Sequence, residues 1–352
     1  MITLKPFLLV FLLAAAVAVC LSKRLFTSVI IYTSFSTVLS IMWILLAAPD
    51  IAITEAAVCT GISGVLFFVA LKRIGVTDAE YKRENKPERL TKPEKDKGRK
   101  GLSSLFNALY VTVCGSLTAV LIYTASSLPS FGDPANPTNN EVSRRFLEQG
   151  LHETGALNAV SSMLWSYRSF DTFGEACVLF AAVCSILILL RGGGVSLPAV
   201  DPFRKEMEEP RQDIILKHIA FLLVAIIMIF GFYALLNGHI TPGGGFSGGA
   251  ILGAMLVLYA SAYGTKHSFK FMDHKIFSRT IAITLSFYAV IKGIVFFAGA
   301  NGLPFPVPLG TPGNLLSGGL IPVYNIAVGI IVACTLYVIY ILFSGGELEA
   351  NA

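Results

Sequence analysis

The chain has 352 residues, 54% hydrophobic and 14% charged, with a mean hydropathy of +0.70. Soluble globular proteins carry roughly 25% charged residues, so this composition excludes a pair of soluble domains and makes lipid-crossing helices the unit to count. The net charge of +5 is not a nucleic-acid footprint, because 11 of the 27 Lys and Arg residues fall between Lys72 and Lys100, where they act as a topology signal.

Apolar runs of bilayer-spanning length predict nine helices, over 6–21, 25–47, 51–72, 105–127, 170–190, 214–236, 246–264, 279–298 and 322–343. The fold class is all-α, a polytopic integral membrane protein. The first run follows Lys5 as a signal peptide would, but Lys23 and Arg24 come directly after it and Val19 before Cys20 makes a poor lipobox, so it is read as a retained helix. With the amino terminus outside, the inner side receives 22 of the 27 basic residues. They are Lys23, Arg24, the 11 from Lys72 to Lys100, five around the fifth connection (Arg191, Arg204, Lys205, Arg211, Lys217) and four after the seventh span (Lys266, Lys270, Lys275, Arg279). The carboxyl terminus is then cytoplasmic.

Two connections divide the spans into modules of three, two and four. Residues 1–76 form the first, 77–104 a charged linker with Pro87 and Pro93, 105–191 the second, 192–213 a linker rich in Gly and Pro, and 214–352 the third. The six cysteines lie in apolar runs without a CxxC pair, and the sequence has no P-loop, dinucleotide fingerprint or HExxH motif. No cofactor is expected, and the chain is not expected to be an enzyme by itself.

Ionisable residues inside lipid are expensive, at about 2.5 to 3.5 kcal/mol each at the centre of a helix, so their placement carries information. The third span opens Pro49-Asp50-Ile51-Ala52-Ile53-Thr54-Glu55, where Asp50 suits an N-cap and Glu55 falls about 7.5 Å deeper. The fifth opens near Arg168, with Asp171 and Glu175 on one helix face. The seventh follows Asn237-Gly238-His239-Ile240-Thr241-Pro242-Gly243-Gly244. Its Gly245, Gly249 and Gly253 make a small-residue stripe for helix packing, while His239 and Thr241 are either hydrogen-bonded structural groups or part of a proton relay. Lys292 interrupts an apolar run on the eighth span. It either snorkels to the outer surface or is a buried cation paired with Glu55, Glu175 or a partner's carboxylate. All four of Glu55, Glu175, His239 and Lys292 fall in the outer half of the membrane on this topology, as a cation or proton path requires and as structural ion pairs also allow.

Three runs carry a resemblance. Pro49-Asp50-Ile51-Ala52-Ile53-Thr54-Glu55-Ala56-Ala57-Val58 resembles the D-subunit domain of membrane-bound hydrogenases, also present in the carboxyl-terminal region of the Mrp-type (Mnh-type) antiporter A subunit. Thr154-Gly155-Ala156-Leu157-Asn158-Ala159-Val160, with Tyr167-Arg168-Ser169-Phe170-Asp171-Thr172-Phe173-Gly174-Glu175, resembles the neighbouring E-subunit domain. Gly238-His239-Ile240-Thr241-Pro242-Gly243-Gly244-Gly245-Phe246-Ser247-Gly248-Gly249 is similar to the hallmark of the antiporter B subunit.

The resemblance implies membership of a multisubunit Na+/H+ antiporter in a prokaryotic plasma membrane. Its implied partners are an antiporter-like multi-helix subunit and small C-, F- and G-type subunits, with Na+ and H+ as transported ions. It also implies that Glu55, Asp171, Glu175 and His239 line or support an ion route; Asp50, Thr241 and Lys292 are further candidates from their placement alone. The same module in a membrane-bound hydrogenase or related respiratory complex is the alternative, and a structural adaptor without an ion path is a third reading. The long antiporter-like helix array that precedes these domains in the A subunit is missing from this sequence, so exchange is not expected of this polypeptide alone.

Overall fold

The computed structural model describes residues 4–74, 97–130, 132–192, 214–264, 274–304 and 307–344. Among the described residues there are no strands, and nine helices are long and apolar enough to cross a membrane. Residues 77–96 and 193–213 of the two expected linkers lie outside the described residues, whereas 97–104 of the first is helical.

Helices α1 (Leu4–Leu21) and α2 (Leu25–Leu45) are continuous apolar runs separated by a short polar break, where Ser22 Oγ donates to the Arg24 carbonyl at 3.1 Å. The third span begins at Pro49, whose fixed φ and missing N–H suit the first helical position. It is built in three parts, α3 (Pro49–Glu55), a π-helical stretch (Ala56–Ser63) and α4 (Gly64–Ile74). The missing side chain of Gly64 lets α2 approach, since a Cβ there would fall 2.6 Å from Thr33 Cγ2.

Helix α5 (Lys97–Ser126) belongs to a compact unit of residues 81–145, and the large apolar side chains along 109–123 are exposed within it. The rest of the chain, 1–80 and 146–352, forms the other unit.

The stretch before the fifth span folds into short helices, α6 (Glu141–Glu148), α7 (Gly150–Thr154) and α8 (Ala159–Ser162), then a second π turn, Met163–Tyr167. Hydrophobic periodicity cannot flag such short elements. Then follow α9 (Ser169–Gly192), α10 (Ile214–Leu236), α11 (Gly245–Tyr263), α12 (His274–Ala300) and α13 (Ile321–Ser344). Helix α13 is buried along most of its length and forms the centre against which α9, α11, α12 and α4 pack. Its inward residues Tyr324, Val328, Ile331 and Val332 join Trp165, Ala176, Ala250 and Tyr288 in one apolar core.

Candidate functional site

The loop between α10 and α11 is turned back sharply on itself. Gly243 and Gly244 adopt φ of +145° and +138°, conformations that residues with a Cβ rarely adopt. A Cβ at Gly243 would also fall 2.8 Å from the Ala234 carbonyl, which accepts the Gly244 N–H at 3.0 Å. The first N–H of α11, at Gly245, is capped by Asn325 Oδ1 of α13 at 2.8 Å, a cap supplied by another helix. Gly245, Gly249 and Gly253 all face α13: a Cβ at Gly249 would fall 2.6 Å from the Gly329 carbonyl, one at Gly245 2.7 Å from that of Asn325, and one at Gly253 3.2 Å from Leu336 Cβ.

Asp50 is not an N-cap. Ala48 holds that position without a side-chain hydrogen bond, and the Asp50 carboxylate instead leaves its helix. Its Oδ1 accepts from Asn158 Nδ2 at 3.1 Å and from the Gly243 N–H at 3.0 Å. Asn158 also donates from Nδ2 to the carbonyls of Gly238 (3.2 Å) and Thr241 (3.1 Å), and from its backbone to that of His239 (3.1 Å). Its Oδ1 caps α8 through the N–H groups of Val160 and Ser161. Ser161 Oγ adds a hydrogen bond to the Gly238 carbonyl. One carboxylate and one amide therefore tie the first, second and third modules at a single point.

Thr241 takes part through its carbonyl, while its hydroxyl donates to Asn237 O at 3.3 Å. His239 is fully buried. Its Nε2 lies 3.2 Å from the Asn314 carbonyl, and because a carbonyl only accepts, Nε2 carries the hydrogen. The other nitrogen, Nδ1, is buried without a partner.

Glu55 stands apart from this knot and has its own oxygen partners. Ser36 of α2 donates to Glu55 Oε1 at 2.6 Å and accepts from Thr60 at 3.0 Å. The π winding from Ala56 turns fewer degrees per residue than an α-helix, which brings Thr60 nearer the Glu55 face, and Ser36 bonds to both.

On α9, Asp171 is paired with Arg168, Nη2 to Oδ2 at 2.6 Å and Nε to Oδ2 at 2.7 Å, with both side chains largely exposed. Glu175, one turn further on, is exposed on the surface of the chain rather than enclosed by it. Lys292 is buried. It neither snorkels nor pairs with Glu55 or Glu175; its ammonium donates to the Trp165 carbonyl at 3.1 Å and faces the Tyr324 ring.

Asp50, His239 and Thr241 are thus joined through Asn158, while Glu55, Asp171, Glu175 and Lys292 take no part in that knot. Asn158, Ser36, Thr60 and Asn325 were not legible as site residues. Asn158 alone had a usable signal, an Asn directly before a short apolar helical run.

Residues 10–76 match the family described as the D subunit of MBH, residues 109–207 match that described as the E subunit of MBH, and residues 215–338 match the domain related to the MnhB subunit of Na+/H+ antiporter. The chain is 31% identical over 195 residues to the uncharacterized protein MJ1307 of Methanocaldococcus jannaschii, covering 49% of this chain and 71% of that protein. It is 25% identical over 251 residues to the probable K(+)/H(+) antiporter A/B subunit of Rhizobium meliloti, covering 65% of this chain but 23% of that protein. Among solved structures, the Mrp complex from Dietzia sp. DQ12-45-1b contains a chain of like fold, with TM-score 0.69 and 20% identity, covering 98% of this chain and 35% of that one. A chain of the membrane-bound sulfane sulfur reductase, an archaeal respiratory membrane complex, has TM-score 0.51 and 28% identity, covering 68% of this chain and 96% of that one. The chain belongs to the same family as MJ1307, and it carries in order regions that match the MBH D-subunit, MBH E-subunit and MnhB-related families.

Proposed function

We propose that the chain is a membrane subunit of a multisubunit Mrp-type monovalent cation/proton antiporter, where it contributes to the ion route and holds neighbouring subunits together. The observation that carries this reading is the Asp50–Asn158–Gly243 junction, where residues from each of the three matched regions are hydrogen-bonded to one another. A second observation supports assembly. Glu175 is an exposed carboxylate on a membrane helix, a placement that lipid penalises and a polar neighbour from another subunit relieves. The carboxylates Glu55, Asp171 and Glu175 supply oxygen ligands for a cation or a proton, and the Ser36 and Thr60 hydroxyls extend the set at Glu55.

The MBH names of the first two matched families favour a second setting, a membrane-bound hydrogenase or related respiratory complex in which redox energy elsewhere drives transport. Native purification on a tagged chain, with identification of the copurifying subunits, separates the two. Antiporter-like and small C-, F- and G-type subunits, with Na+-dependent proton movement in reconstituted vesicles, are the expected result. Iron–sulfur or nickel-site subunits place the chain in the respiratory setting, and recovery without either group overturns the proposal.

A further inference from the structure

Lys292 lies within α12 with 4% of its surface exposed. A buried primary ammonium is unfavourable unless other groups replace its water. No carboxylate among the described residues lies within ion-pair distance of it. What surrounds Nζ is the Trp165 carbonyl oxygen at 3.1 Å, the Tyr324 ring at 3.8 Å to the centroid and the Tyr288 ring at 5.7 Å.

The rings hold one another in place. Trp165 stacks on Tyr324 at 5.8 Å and 20°, Tyr288 meets Tyr324 at 5.2 Å, and Phe173 meets Tyr288 edge-on at 5.3 Å. Trp165, Tyr288 and Tyr324 are 5%, 0% and 3% exposed, so the enclosure is already dry of bulk solvent. The hydroxyls of Tyr288 and Tyr324 are buried without partners, which leaves the ring faces and the carbonyl as the groups that answer the charge. Aromatic faces with a carbonyl, and no carboxylate, are the surroundings that suit an organic ammonium ion: the ring quadrupole attracts the charge and the oxygen accepts one N–H.

We propose that Trp165, Tyr288 and Tyr324 form a binding cage for a primary ammonium, that the Lys292 ammonium is its tethered occupant, and that truncating Lys292 leaves a site for a free alkylammonium ion. The cage draws Trp165 from the π turn before α9 and its other members from α12 and α13, so it fastens the second module to the third. It does so with a positive charge that uses none of the carboxylates a transported cation needs. The proposal rests on contacts within the chain and stands whichever complex the chain serves.

The test uses the intact complex carrying Lys292→Ala. With Cβ retained, n-propylammonium supplies the three remaining carbons and the nitrogen of the lost side chain. Melting is followed with rising n-propylammonium chloride, against n-propanol and NaCl at equal concentration. The expected result is a saturable rise of about 2 °C or more for the variant with the amine alone, and none for the unaltered complex. A rise with n-propanol equal to that with the amine, the same rise in the unaltered complex, or no rise at all overturns the cage.

Should Lys292→Ala not assemble, Tyr324→Phe and Tyr324→Leu decide in the Lys292 background. Phe keeps the face and removes only an unpartnered hydroxyl, so it should melt with the unaltered complex while Leu melts several degrees lower. Phe as damaging as Leu overturns the proposal.

Discussion

Asp50 and Asn158, 108 residues apart in the chain, meet side chain to side chain at 3.1 Å, and the same Asp50 oxygen takes the Gly243 N–H. Asn158 uses both ends of its amide at once, sharing the two hydrogens of its NH2 among Asp50, Gly238 and Thr241 and accepting from Val160 and Ser161. Neither aspartate, which only accepts when ionised, nor a hydroxyl fills that role.

Asn158→Ala is expected to destabilise the chain by about 2–4 kcal/mol, since it removes a helix cap and leaves half-buried carbonyls and a carboxylate short of a donor. Asp50→Asn keeps an oxygen in the accepting position and should cost about 1 kcal/mol or less. Melting of the purified complex and subunit recovery read both effects. An Asn158→Ala complex that melts with the unaltered one would remove this junction from the account.

Helix packing gives a second prediction. Gly249→Leu would drive a side chain into the Gly329 backbone, 2.6 Å from the Cβ position, with Val332 Cβ at 3.0 Å. Overpacking at backbone has no flexible neighbour to yield, so α11 and α13 must separate. Gly299→Leu is the comparison, because Gly299 lies in a helix with nothing within 4 Å of its Cβ position. Subunit recovery should fall at least several-fold for Gly249→Leu and stay near normal for Gly299→Leu. Equal recovery would show that the stripe does not set the packing.

The spans were legible because a membrane core imposes a length and an apolarity that composition alone reveals, and the Gly245–Gly253 stripe because close helix approach needs small residues at a fixed interval. Asp50 and Lys292 were legible as unusual but not as to partner. Which oxygen or ring answers a charge depends on tertiary proximity, and the partners lie far off in the chain: Asn158 for Asp50 and Trp165 for Lys292. The π stretch after Glu55 has no periodicity that marks it, so the Thr60–Ser36–Glu55 chain of hydroxyls was hidden too. The short helices before α9 fall below the length at which hydrophobic periodicity is visible.

Orientation follows from charge. With 22 of 27 basic residues assigned to one side, the amino terminus should face outside, and the loop containing Asn136 should be external. Single cysteines at Asn136 and at Glu84, labelled in intact cells with an impermeant thiol reagent, test this. Labelling at 136 and not at 84 is expected, and the reverse pattern would invert the topology.

The sharpest prediction separates the two carboxylates of α9. Asp171 is answered locally, by two charge-assisted contacts of 2.6 and 2.7 Å from Arg168. That pair is exposed, so it contributes little to stability, and Asp171→Asn should leave assembly intact and transport only mildly reduced. Glu175 shares the face of Asp171 one turn deeper, where it is exposed on the chain. On a membrane helix that exposure is toward lipid or toward another subunit, and the insertion penalty of about 2.5 to 3.5 kcal/mol for a mid-membrane charge favours a neighbour that supplies a cation, a proton or a hydrogen bond. On the proposed ion route, Glu175 exchanges its proton for a passing cation. Glu175→Gln keeps the shape and most of the hydrogen-bonding capacity but removes the charge. We expect the complex to assemble with Glu175→Gln and to lose at least about tenfold in cation-dependent proton exchange, which corresponds to about 1.4 kcal/mol in the rate-limiting step. Exchange is measured as cation-induced pH change in vesicles. Normal exchange across the working pH range would remove Glu175 from the ion route.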